Sequence, residues 1–423
     1  MYTIPGNKID TNSSVKSTKK LLVVEGGEPA IKVNLKEFKP IPESGIQRAV
    51  EIMRSAKLYR YQALKPEESE TSLFEKEFAE YVGAKYAVAV NSCGSALFIA
   101  LKCAGVVPND KVLMNAFTFT AVPSAIHHTG AIAMLVESGR DFTVDTIDLR
   151  KKASDGEYKV LLLSYMRGQV PNMDEVVEIC KEFGITLIED CAHAHCTYWK
   201  GVPMGRFGHI SCFSTQSSKA LSAGEGGIII TDDDEMISKA VLYSGSYERL
   251  WERHYNLPKA SIVQLQNYIP SYSLRMNEVT AAMLRPQIKR LPKLVQVHDD
   301  NYNVLADILM DSSYIELQQQ NPNIKLFRDT IQFHLPKFTH TEITDFMKLS
   351  EMEGIPLQLF ATKDEARYFR TWAYLENNQE LELTELSLDK ACGIALGAHL
   401  TKDIVIEIGA TILRIIDYIV EQR

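Results

Sequence analysis

Long apolar runs and extended basic segments are both missing from this sequence. No stretch approaches the roughly 18 consecutive apolar residues that a membrane-spanning helix needs, so we expect no membrane partner. Residues 1–20 lack the apolar core of a signal peptide, which predicts that the chain is not secreted. Residues 16–20 form only a short basic cluster, and the net charge is −8, which argues against a nucleic-acid partner. We therefore expect a cytoplasmic protein whose ligands are small molecules.

A disulfide pattern is missing too. The seven cysteines are odd in number and follow no pairing rule, as expected in a reducing cytosol. Cys191, His193, His195 and Cys196 do place four possible metal ligands close together. Structural zinc sites usually divide their ligands between two distant pairs, and side chains that follow a buried strand point in different directions. We therefore expect no metal and interpret the cysteines as packing residues; a zinc hydrolase, which would contain bound metal, is the alternative.

Size and hydrophobic content predict a large folded protein. The 423 residues, of which 45% are hydrophobic, can bury a sizeable core and should divide into at least two lobes. Strand and helix patterns alternate from residue 86 to residue 231. Such alternation is typical of a doubly wound α/β lobe with a largely parallel sheet.

Four segments outside this alternating region have weaker patterns. Residues 21–24 predict a short strand or an extended arm. In the second lobe, residues 324–327 predict a strand and residues 386–396 predict a helix. Residues 245–272 are aromatic and polar without a clear period, so we expect a loop that covers a site or a partner subunit.

A carboxylate and a lysine follow two strands in the middle of the chain. Residues 185–188 are a short apolar run that ends in Glu189 and Asp190, as a buried parallel strand does at the edge of a site. A second strand is predicted over residues 209–213, and the small polar loop after it leads to Lys219. A lysine amine can form a Schiff base with an aldehyde, and a carboxylate can keep a pyridine nitrogen protonated. The pair therefore suits pyridoxal 5′-phosphate.

A phosphate site is predicted earlier in the chain. Residues 86–90 have the pattern of a strand, and a turn of small residues, 91–96 (NSCGSA), leads from it into a helix. Free N–H groups and the dipole at the start of a helix favour an anion. Turns of this kind are common, so the motif is informative only together with the others.

Six motifs occur along the chain in a characteristic order. They are residues 25–30 (EGGEPA), 91–97 (NSCGSAL), 118–121 (TFTA), 189–194 (EDCAHA), 219–227 (KALSAGEGG) and 275–282 (RMNEVTAA). Together they resemble the DegT/DnrJ/EryC/StrS sugar aminotransferases, which are pyridoxal-phosphate enzymes of the aspartate-aminotransferase fold. The resemblance is dense over residues 21–291 and looser beyond them.

The resemblance implies an α/β protein of the fold-type I class of pyridoxal-phosphate-dependent transferases. A large lobe with a mostly parallel seven-stranded sheet is expected beside a smaller C-terminal α/β lobe. The corresponding domains are an N-terminal arm over residues 1–45 that joins the small lobe, a large cofactor-binding domain over residues 46–290, and a small domain over residues 291–423. A homodimer is expected as well, because family members borrow site residues from the neighbouring subunit.

Site residues follow from the same resemblance. Lys219 should hold the cofactor covalently and, once freed by the amino donor, act as the base that moves a proton. Asp190 should pair with the pyridine nitrogen. The remaining expected cofactor contacts are His193 near the phenolic oxygen, Phe119 on the ring face, and Gly94, Ser95 and Ser214 on the phosphate.

Two positions depart from the family pattern. Ser273 stands where the family usually has an asparagine that reaches the cofactor phosphate of the neighbouring subunit, and a serine reaches less far. Arg167 lies in the segment 165–168 (YMRG), where the family commonly has His-Leu-[YF]-Gly. An arginine there can hold a carboxylate with two hydrogen bonds. We therefore expect Arg167 to bind the carboxylate of the amino donor or of an acidic sugar.

The expected activity is the transfer of an amino group from glutamate or glutamine to a keto-sugar. Residues 165–168, together with residues 245–248, resemble the branch that makes 8-amino-3,8-dideoxy-manno-octulosonate for lipopolysaccharide. Nucleotide-linked keto-sugars and keto-inositols such as scyllo-inosose are alternative acceptors. Lys219 argues against the dehydrases of the family, which have histidine at this position. A non-catalytic regulator that binds pyridoxal phosphate remains open.

Overall fold

The computed structural model describes residues 21–156, 158–319, 321–375 and 379–423. The expectations for residues 1–20, including the basic cluster at 16–20, lie outside these ranges. None of the helices within the described ranges combines the length and the apolar composition that crossing a bilayer requires.

Fourteen strands are found in the part of the chain that the structure describes. In chain order they are β1 (Tyr86–Val90), β2 (Lys111–Asn115), β3 (Ile132–Val136), β4 (Val160–Ser164), β5 (Thr186–Asp190), β6 (Tyr198–Trp199), β7 (Val202–Pro203), β8 (Ile210–Ser214), β9 (Gly227–Thr231), β10 (Glu316–Leu317), β11 (Ile324–Lys325), β12 (Thr330–His334), β13 (Gln358–Leu359) and β14 (Ala391–Ala395).

The α-helices connect and cover these strands. In chain order they are α1 (Glu43–Ser55), α2 (Glu70–Val82), α3 (Cys93–Cys103), α4 (Ala121–His128), α5 (Thr146–Ala153), α6 (Met173–Glu182), α7 (Asp234–Ser244), α8 (Lys259–Leu265), α9 (Glu278–Ile288), α10 (Leu291–Leu309), α11 (His340–Met352), α12 (Glu382–Leu388) and α13 (Lys402–Glu421).

A seven-stranded sheet forms the centre of the large lobe, with the strand order β1-β9-β8-β5-β4-β2-β3. The strands β3, β2, β4, β5 and β8 run parallel to one another. Only β9 is antiparallel within this sheet, to both β1 and β8. The predicted α/β fold with a mostly parallel seven-stranded sheet is therefore confirmed.

Helices cover both faces of this sheet because its strands are apolar on both sides. In β4, Leu161 and Leu163 pack into the hydrophobic layer on one face, and Leu162 packs into the layer on the other. Helices α2, α6 and α9 complete the first layer, and α3, α4 and α7 complete the second. The strands between them are held in register, which fixes where each strand ends.

The carboxyl ends of β4, β5 and β8 meet at one edge of the sheet. Ser164 at the end of β4 is in register with Asp190 at the end of β5, and Asp190 is in register with Cys212 of β8. Ligands of open α/β sheets bind at this edge. The topology therefore brings the predicted Asp190 close to the loop that follows β8 and carries Lys219.

The small lobe is built on a four-stranded antiparallel sheet with the order β10-β12-β14-β13. Helices α10, α11 and α13 pack against it, with Ile408, Ile412 and Ile415 of α13 fully buried. Leu22 and Leu35 from the N-terminal arm are buried in the same hydrophobic cluster. The arm therefore contributes to the core of the small lobe.

Two predictions for the second lobe are wrong. The helix expected over 386–396 is interrupted, because α12 ends at Leu388 and β14 begins at Ala391. Lys390, whose φ of 55° is left-handed, turns the chain between them. The strand expected over 324–327 is only Ile324–Lys325, and it pairs with β6 of the large lobe rather than with the small-lobe sheet.

The N-terminal and central irregular segments also differ from expectation. Residues 21–24 are not extended: a 3₁₀ helix, Val23–Glu25, turns the chain and ends at Gly26 in a left-handed conformation with φ of 93°. The carboxylate of Glu25 accepts a hydrogen bond from the backbone N–H of Leu22 at 2.9 Å. Residues 245–272, expected as a loop, contain the 3₁₀ helix Leu250–Arg253 and α8.

Candidate active site

A cavity of about 710 Å³ lies where the carboxyl edge of the large sheet meets the small lobe and the N-terminal arm. Seven of the nine predicted site residues line it: Gly94, Phe119, Arg167, Asp190, His193, Ser214 and Lys219. Ser95 and Ser273 are not among its lining residues. A single cavity is therefore lined by the predicted lysine, carboxylate, aromatic ring and part of the phosphate turn.

The predicted phosphate turn is the start of helix α3. Ser92 is its N-cap, and its Oγ accepts a hydrogen bond from the backbone N–H of Ser95 at 3.0 Å. The Oγ of Ser95 donates to Asn91 Oδ1 at 2.7 Å, so that hydroxyl is engaged within the turn. Gly94 lines the cavity, and a Cβ there would meet only Ser92 Oγ at 3.8 Å. The open helix start favours an anion beside Gly94, and Ser92 adds a cavity-lining hydroxyl that the sequence interpretation missed.

Asp190 is fixed at the end of β5 by two hydrogen bonds. Its Oδ2 accepts from Ser164 Oγ at 3.0 Å, and its Oδ1 accepts from the backbone N–H of Ala192 at 3.0 Å. Burial raises the pKa of the Asp190 carboxyl, while these two hydrogen bonds and the charge of Lys219 act in the opposite direction. A buried, oriented carboxylate of this kind is suited to bind a protonated ring nitrogen.

The adjacent Glu189 has a different, structural role. Its fully buried carboxylate accepts hydrogen bonds from Tyr165 OH at 2.6 Å, from the backbone N–H of Gly205 at 2.9 Å and from that of Phe207 at 2.8 Å. Buried polar groups with satisfied hydrogen bonds stabilise the structure around them. Glu189 therefore holds the loop between β7 and β8, whereas Asp190 lines the cavity.

Lys219 lies beside His193 in the cavity. Its Nζ is 3.0 Å from His193 Nε2. Burial lowers the pKa of Lys219, and the charge of Arg367 acts in the same direction against those of Asp329, Cys93 and Asp190. A lysine with a lowered pKa is a better nucleophile near neutral pH because more of it is uncharged.

The loop that carries Lys219 is closed by backbone hydrogen bonds and by a glycine. Ser217 N–H donates to Gly224 O at 3.0 Å, and Thr215 N–H donates to Gly226 O at 3.0 Å. A Cβ at Gly226 would lie 2.2 Å from Thr215 Oγ1, whereas one at Gly224 would meet nothing within 4 Å. Only glycine fits at position 226 without moving the loop, which explains part of the glycine-rich motif.

The cysteine and histidine side chains at 191–196 have separate partners. His195 Nε2 is 2.8 Å from Ser214 O, and Cys196 Sγ is 3.2 Å from Tyr81 OH. Cys191 is fully buried in the hydrophobic layer. Among the described residues, no group of three or more His, Cys, Asp or Glu side chains is placed to hold a metal ion. The segment therefore positions His193, and through His195 it contacts the end of β8, the strand that precedes Lys219.

Arg167 lies in the turn after β4, with a left-handed φ of 58°. Its Nη2 donates a hydrogen bond to Gln358 Oε1 of the small lobe, and its guanidinium lies 5.7 Å from the centre of the Phe360 ring. Burial, with the charge of Arg367, lowers the pKa of Arg167 to about 10. The side chain is therefore charged near neutral pH and lies between the lobes, as binding a substrate carboxylate requires.

Several cavity residues were missed by the sequence interpretation. Arg367 lies with its guanidinium 5.4 Å from the centre of the Phe119 ring, and Phe119 itself is 41% exposed. Lys39 of the N-terminal arm donates to Lys219 O at 3.3 Å. Asp329, just before β12, has its pKa raised by burial against the opposing charges of Lys39, Lys219 and Arg167. The local sequence pattern did not predict these residues, because the packing of the small lobe brings them to the cavity.

Ser273 lies outside the cavity lining of the single chain. Its Oγ accepts a hydrogen bond from Arg275 Nη2 at 3.2 Å, and Arg275 also donates to Gly245 O at 2.8 Å. The proposed reach of Ser273 towards a neighbouring subunit stays a prediction.

These residues fit pyridoxal 5′-phosphate. The cavity combines an open helix start, a lysine with lowered pKa, a fixed carboxylate and an exposed aromatic ring. When bound, this cofactor supplies an electron-accepting ring that stabilises negative charge on the substrate carbon. Lys219 would hold its aldehyde carbon, Asp190 its ring nitrogen, and the start of α3 its phosphate.

Comparison with known proteins agrees with this chemistry. The family model described as the DegT/DnrJ/EryC1/StrS aminotransferase family matches residues 45–413. The spore coat polysaccharide biosynthesis protein SpsC of Bacillus subtilis is 36% identical over 221 residues, which are 52% of this chain and 56% of that protein. The 3-amino-5-hydroxybenzoate synthase of Amycolatopsis mediterranei is 32% identical over 57% of this chain and 60% of that protein. The chain thus spans little more than half the length of these relatives.

Solved structures agree on the fold. The putative sugar aminotransferase Spr1654 of Streptococcus pneumoniae, in its PLP form, superposes with a TM-score of 0.77 at 21% identity, covering 90% of this chain and 99% of that one. At this level of identity the likeness concerns the fold.

Proposed function

Because the chain belongs to the DegT/DnrJ/EryC1/StrS aminotransferase family, we propose that it is a pyridoxal-phosphate-dependent aminotransferase that transfers an amino group from glutamate or glutamine to a keto-sugar. One observation carries the proposal most directly. Lys219 Nζ lies 3.0 Å from His193 Nε2 in the cavity that Asp190 also lines. An amine, an imidazole and a buried carboxylate that line one cavity are suited to this transfer.

Each residue has a role in this proposal. Asp190, held by Ser164 and Ala192, keeps the ring nitrogen protonated. The Lys219 amine, when it is free, would move the proton at the donor carbon as a general base and acid. His193 orients the lysine and would contact the phenolic oxygen of the bound cofactor, and Phe119 would pack on its ring face.

The acceptor we propose is an acidic keto-sugar. Arg167 presents a buried guanidinium to the cavity, and a guanidinium binds a carboxylate in a bidentate manner. The 8-oxo form of 3-deoxy-octulosonate carries such a carboxylate, and its product would be 8-amino-3,8-dideoxy-manno-octulosonate for lipopolysaccharide. Nucleotide-linked keto-sugars are the second candidate, since one relative is the GDP-perosamine synthase of Vibrio cholerae; a keto-inositol is the third. A cytoplasmic homodimer is part of the proposal.

The first experiment is the absorption spectrum of the purified protein after incubation with pyridoxal phosphate. We expect a yellow band that borohydride reduces and fixes to Lys219. A screen of keto-sugars and keto-inositols with glutamate and with glutamine then identifies the substrates. A yellow protein that converts none of them would support a non-catalytic regulator, and a colourless protein would refute the proposal.

Sedimentation analysis tests the homodimer separately. We expect the loaded protein to sediment as a dimer, and Ser273→Ala to weaken cofactor retention only if the serine acts across the interface. A monomer with full cofactor loading would contradict the shared site.

A further inference from the structure

Two arginines from opposite lobes face the same end of the cavity. Arg167 comes from the turn after β4 of the large lobe, and Arg367 comes from the small-lobe segment before the 3₁₀ helix Phe369–Thr371. Both line the cavity. Arg367 belongs to no motif of the sequence, and it has no role in the proposed amino transfer.

A chain of side chains joins the two arginines. Arg167 Nη2 donates to Gln358 Oε1, and Gln358 Nε2 donates to Glu365 Oε2. Glu365 Oε1 in turn accepts from Arg367 Nη1 at 2.6 Å and from the backbone N–H of Arg367 at 3.1 Å. Gln358 and Glu365 are therefore positioning residues that connect the two guanidinium groups through hydrogen bonds.

Neither guanidinium is fully satisfied. Within the described ranges, the buried Nε atoms of Arg167 and of Arg367 have no hydrogen-bond acceptor. A buried donor without an acceptor destabilises the free protein, and for a charged group the cost is larger. An anionic ligand in the cavity would supply negative charge to the two guanidinium groups, whose other nitrogens bond to Gln358 and Glu365.

Lys36 of the N-terminal arm adds a third cation to this end of the cavity. Burial lowers the pKa of Lys36, and so do the charges of Arg167 and Arg367, which shows that the three cations interact. Glu365 is the carboxylate bonded to this group. Asp329 also faces Arg167, but it faces Lys39 and Lys219 as well, and Asp190 serves the ring nitrogen. Glu37 and Glu225 also line the cavity, but among the described residues Glu365 is the carboxylate that forms an ion pair with one of the three cations.

This cationic group lies beside the reacting amine. The charge of Arg367 contributes to lowering the pKa of Lys219, and the charges of both arginines contribute to lowering that of His193. In an α-amino acid, the carboxylate is attached to the carbon that carries the transferred nitrogen, so a carboxylate subsite must adjoin the lysine.

We infer that Arg167, Arg367 and Lys36 form a dicarboxylate subsite that selects glutamate over glutamine as the amino donor. This inference rests on the proposed aminotransferase function and deepens it. Glutamate brings two carboxylates to three cations, whereas glutamine brings one carboxylate and a neutral amide. Arg367 is the residue that distinguishes the two side chains, and Arg167 binds the carboxylate next to the transferred amine.

Ligands without an amino group test this subsite separately from turnover. Calorimetric titration of the purified protein, with and without added pyridoxal phosphate, compares glutarate, a dicarboxylate, with glutaramate, its monoamide. We expect glutarate to bind at least tenfold more tightly. In Arg367→Gln the preference should fall to less than twofold, and in Arg367→Lys it should be intermediate.

Arg370→Gln is the matched control. Arg370 is three positions away and pairs with Glu380 at 3.0 Å and with Glu385 at 2.7 Å on the surface, so this variant should keep the full preference. Melting temperatures of all variants identify any that fail to fold, in which case Arg367→Lys provides the comparison.

Equal affinity of the wild-type protein for glutarate and glutaramate would overturn the inference, and so would an unchanged preference in folded Arg367→Gln. Failure of the proposed function gives a different result: glutarate is preferred and the preference depends on Arg367, but no keto-sugar is aminated. The two failures are therefore distinguishable.

Discussion

Lys219 and His193 lie with their Nζ and Nε2 atoms 3.0 Å apart, and burial lowers the pKa of both side chains. Burial disfavours the charged form of each side chain and so increases the share of uncharged amine on Lys219. The cavity therefore prepares Lys219 as a nucleophile before any ligand arrives. This pair also explains why the histidine of the 189–194 motif and the lysine of the glycine-closed loop occur together.

The first prediction concerns the covalent link. Lys219→Ala should carry no cofactor that borohydride can fix, and turnover should fall by about 10³-fold or more, because the same amine serves as nucleophile and base. Lys219→Arg keeps the charge but should lose the activity equally. Absorption spectra and mass spectrometry of the reduced protein check the result, and an alanine variant that still retains borohydride-fixed cofactor would place the link elsewhere.

Asp190→Asn removes the negative charge of this side chain and keeps its size and shape. The amide oxygen can still accept from the backbone N–H of Ala192, and the amide nitrogen can donate to Ser164 Oγ, a hydroxyl that can also accept, so the fold should persist. Without the carboxylate charge the ring nitrogen is not held protonated, and we expect kcat to fall roughly 10²-fold or more. Stopped-flow kinetics of the half-reaction with glutamate measure the effect. Ser164→Ala is the milder companion variant, and equal activity of Asp190→Asn and wild type would remove Asp190 from the chemistry.

Arg167→Ala should raise the Michaelis constant of the donor, of an acidic acceptor, or of both, by about 10- to 100-fold, since a charged hydrogen bond contributes roughly 1.5–3 kcal/mol. Steady-state kinetics with each substrate varied in turn measure it. Arg140→Ala serves as control, because Arg140 forms only a surface pair with Glu316 at 2.9 Å. Unchanged constants for both substrates would end the carboxylate role of Arg167.

Two glycines of the Lys219 loop form a matched pair for mutation. Gly226→Ala places a Cβ 2.2 Å from Thr215 Oγ1, so the loop must move and cofactor loading should fall severalfold or more. Gly224→Ala meets nothing within 4 Å and should cost only about 1 kcal/mol of stability through its left-handed backbone. Cofactor content and melting temperature distinguish the two effects; similar loading in both variants would contradict the steric explanation.

The buried carboxylate of Glu75, which pairs with Arg60 and His254 away from the motifs, predicts how the stability of the fold depends on pH. Burial alone would raise the pKa of Glu75, but Arg60 and His254 hold it at about 2, and burial, with the charge of Arg60, lowers that of His254 below 6.5. Both groups therefore bind protons more readily in the unfolded chain. Their contribution is complete above pH 6.5 and is lost as the pH falls, first through His254 and then, between about 4.5 and 2, through Glu75.

Glu75→Gln tests this directly. Removing one partner of a buried ion pair costs about 3–5 kcal/mol, and the difference from wild type should shrink as the pH falls from about 4.5 towards 2, where Glu75 takes up its proton. Urea denaturation at several pH values measures it, with Glu51→Gln as the control, because Glu51 pairs with Arg48 on the surface. A constant difference over this range would contradict the coupling.

Local sequence pattern was sufficient for the large lobe and for the centre of the site. β1 coincides with the predicted strand at residues 86–90, and the strand that ends in Asp190 follows from an apolar run that stops at a carboxylate. Arg367 and Asp329 could not be found in this way, because they lie in irregular segments whose position depends on how the small lobe packs. The failure at 386–396 has the same origin: β14 pairs with two strands, and that pairing overrides a helical pattern.

The pleat of β5 gives two neighbouring acids opposite surroundings. Leu187 and Glu189 turn to one layer of the large lobe, while Ile188 turns to the other, and Asp190 opens into the cavity. A shift of β5 by a single residue against β4 and β8 would exchange the two sides of the strand. Glu189 would then face the cavity, and Asp190 would be buried in the protein interior. New substrate specificities in this fold can therefore arise from changes in the loops and the small lobe, whereas the register of β5 has to stay the same.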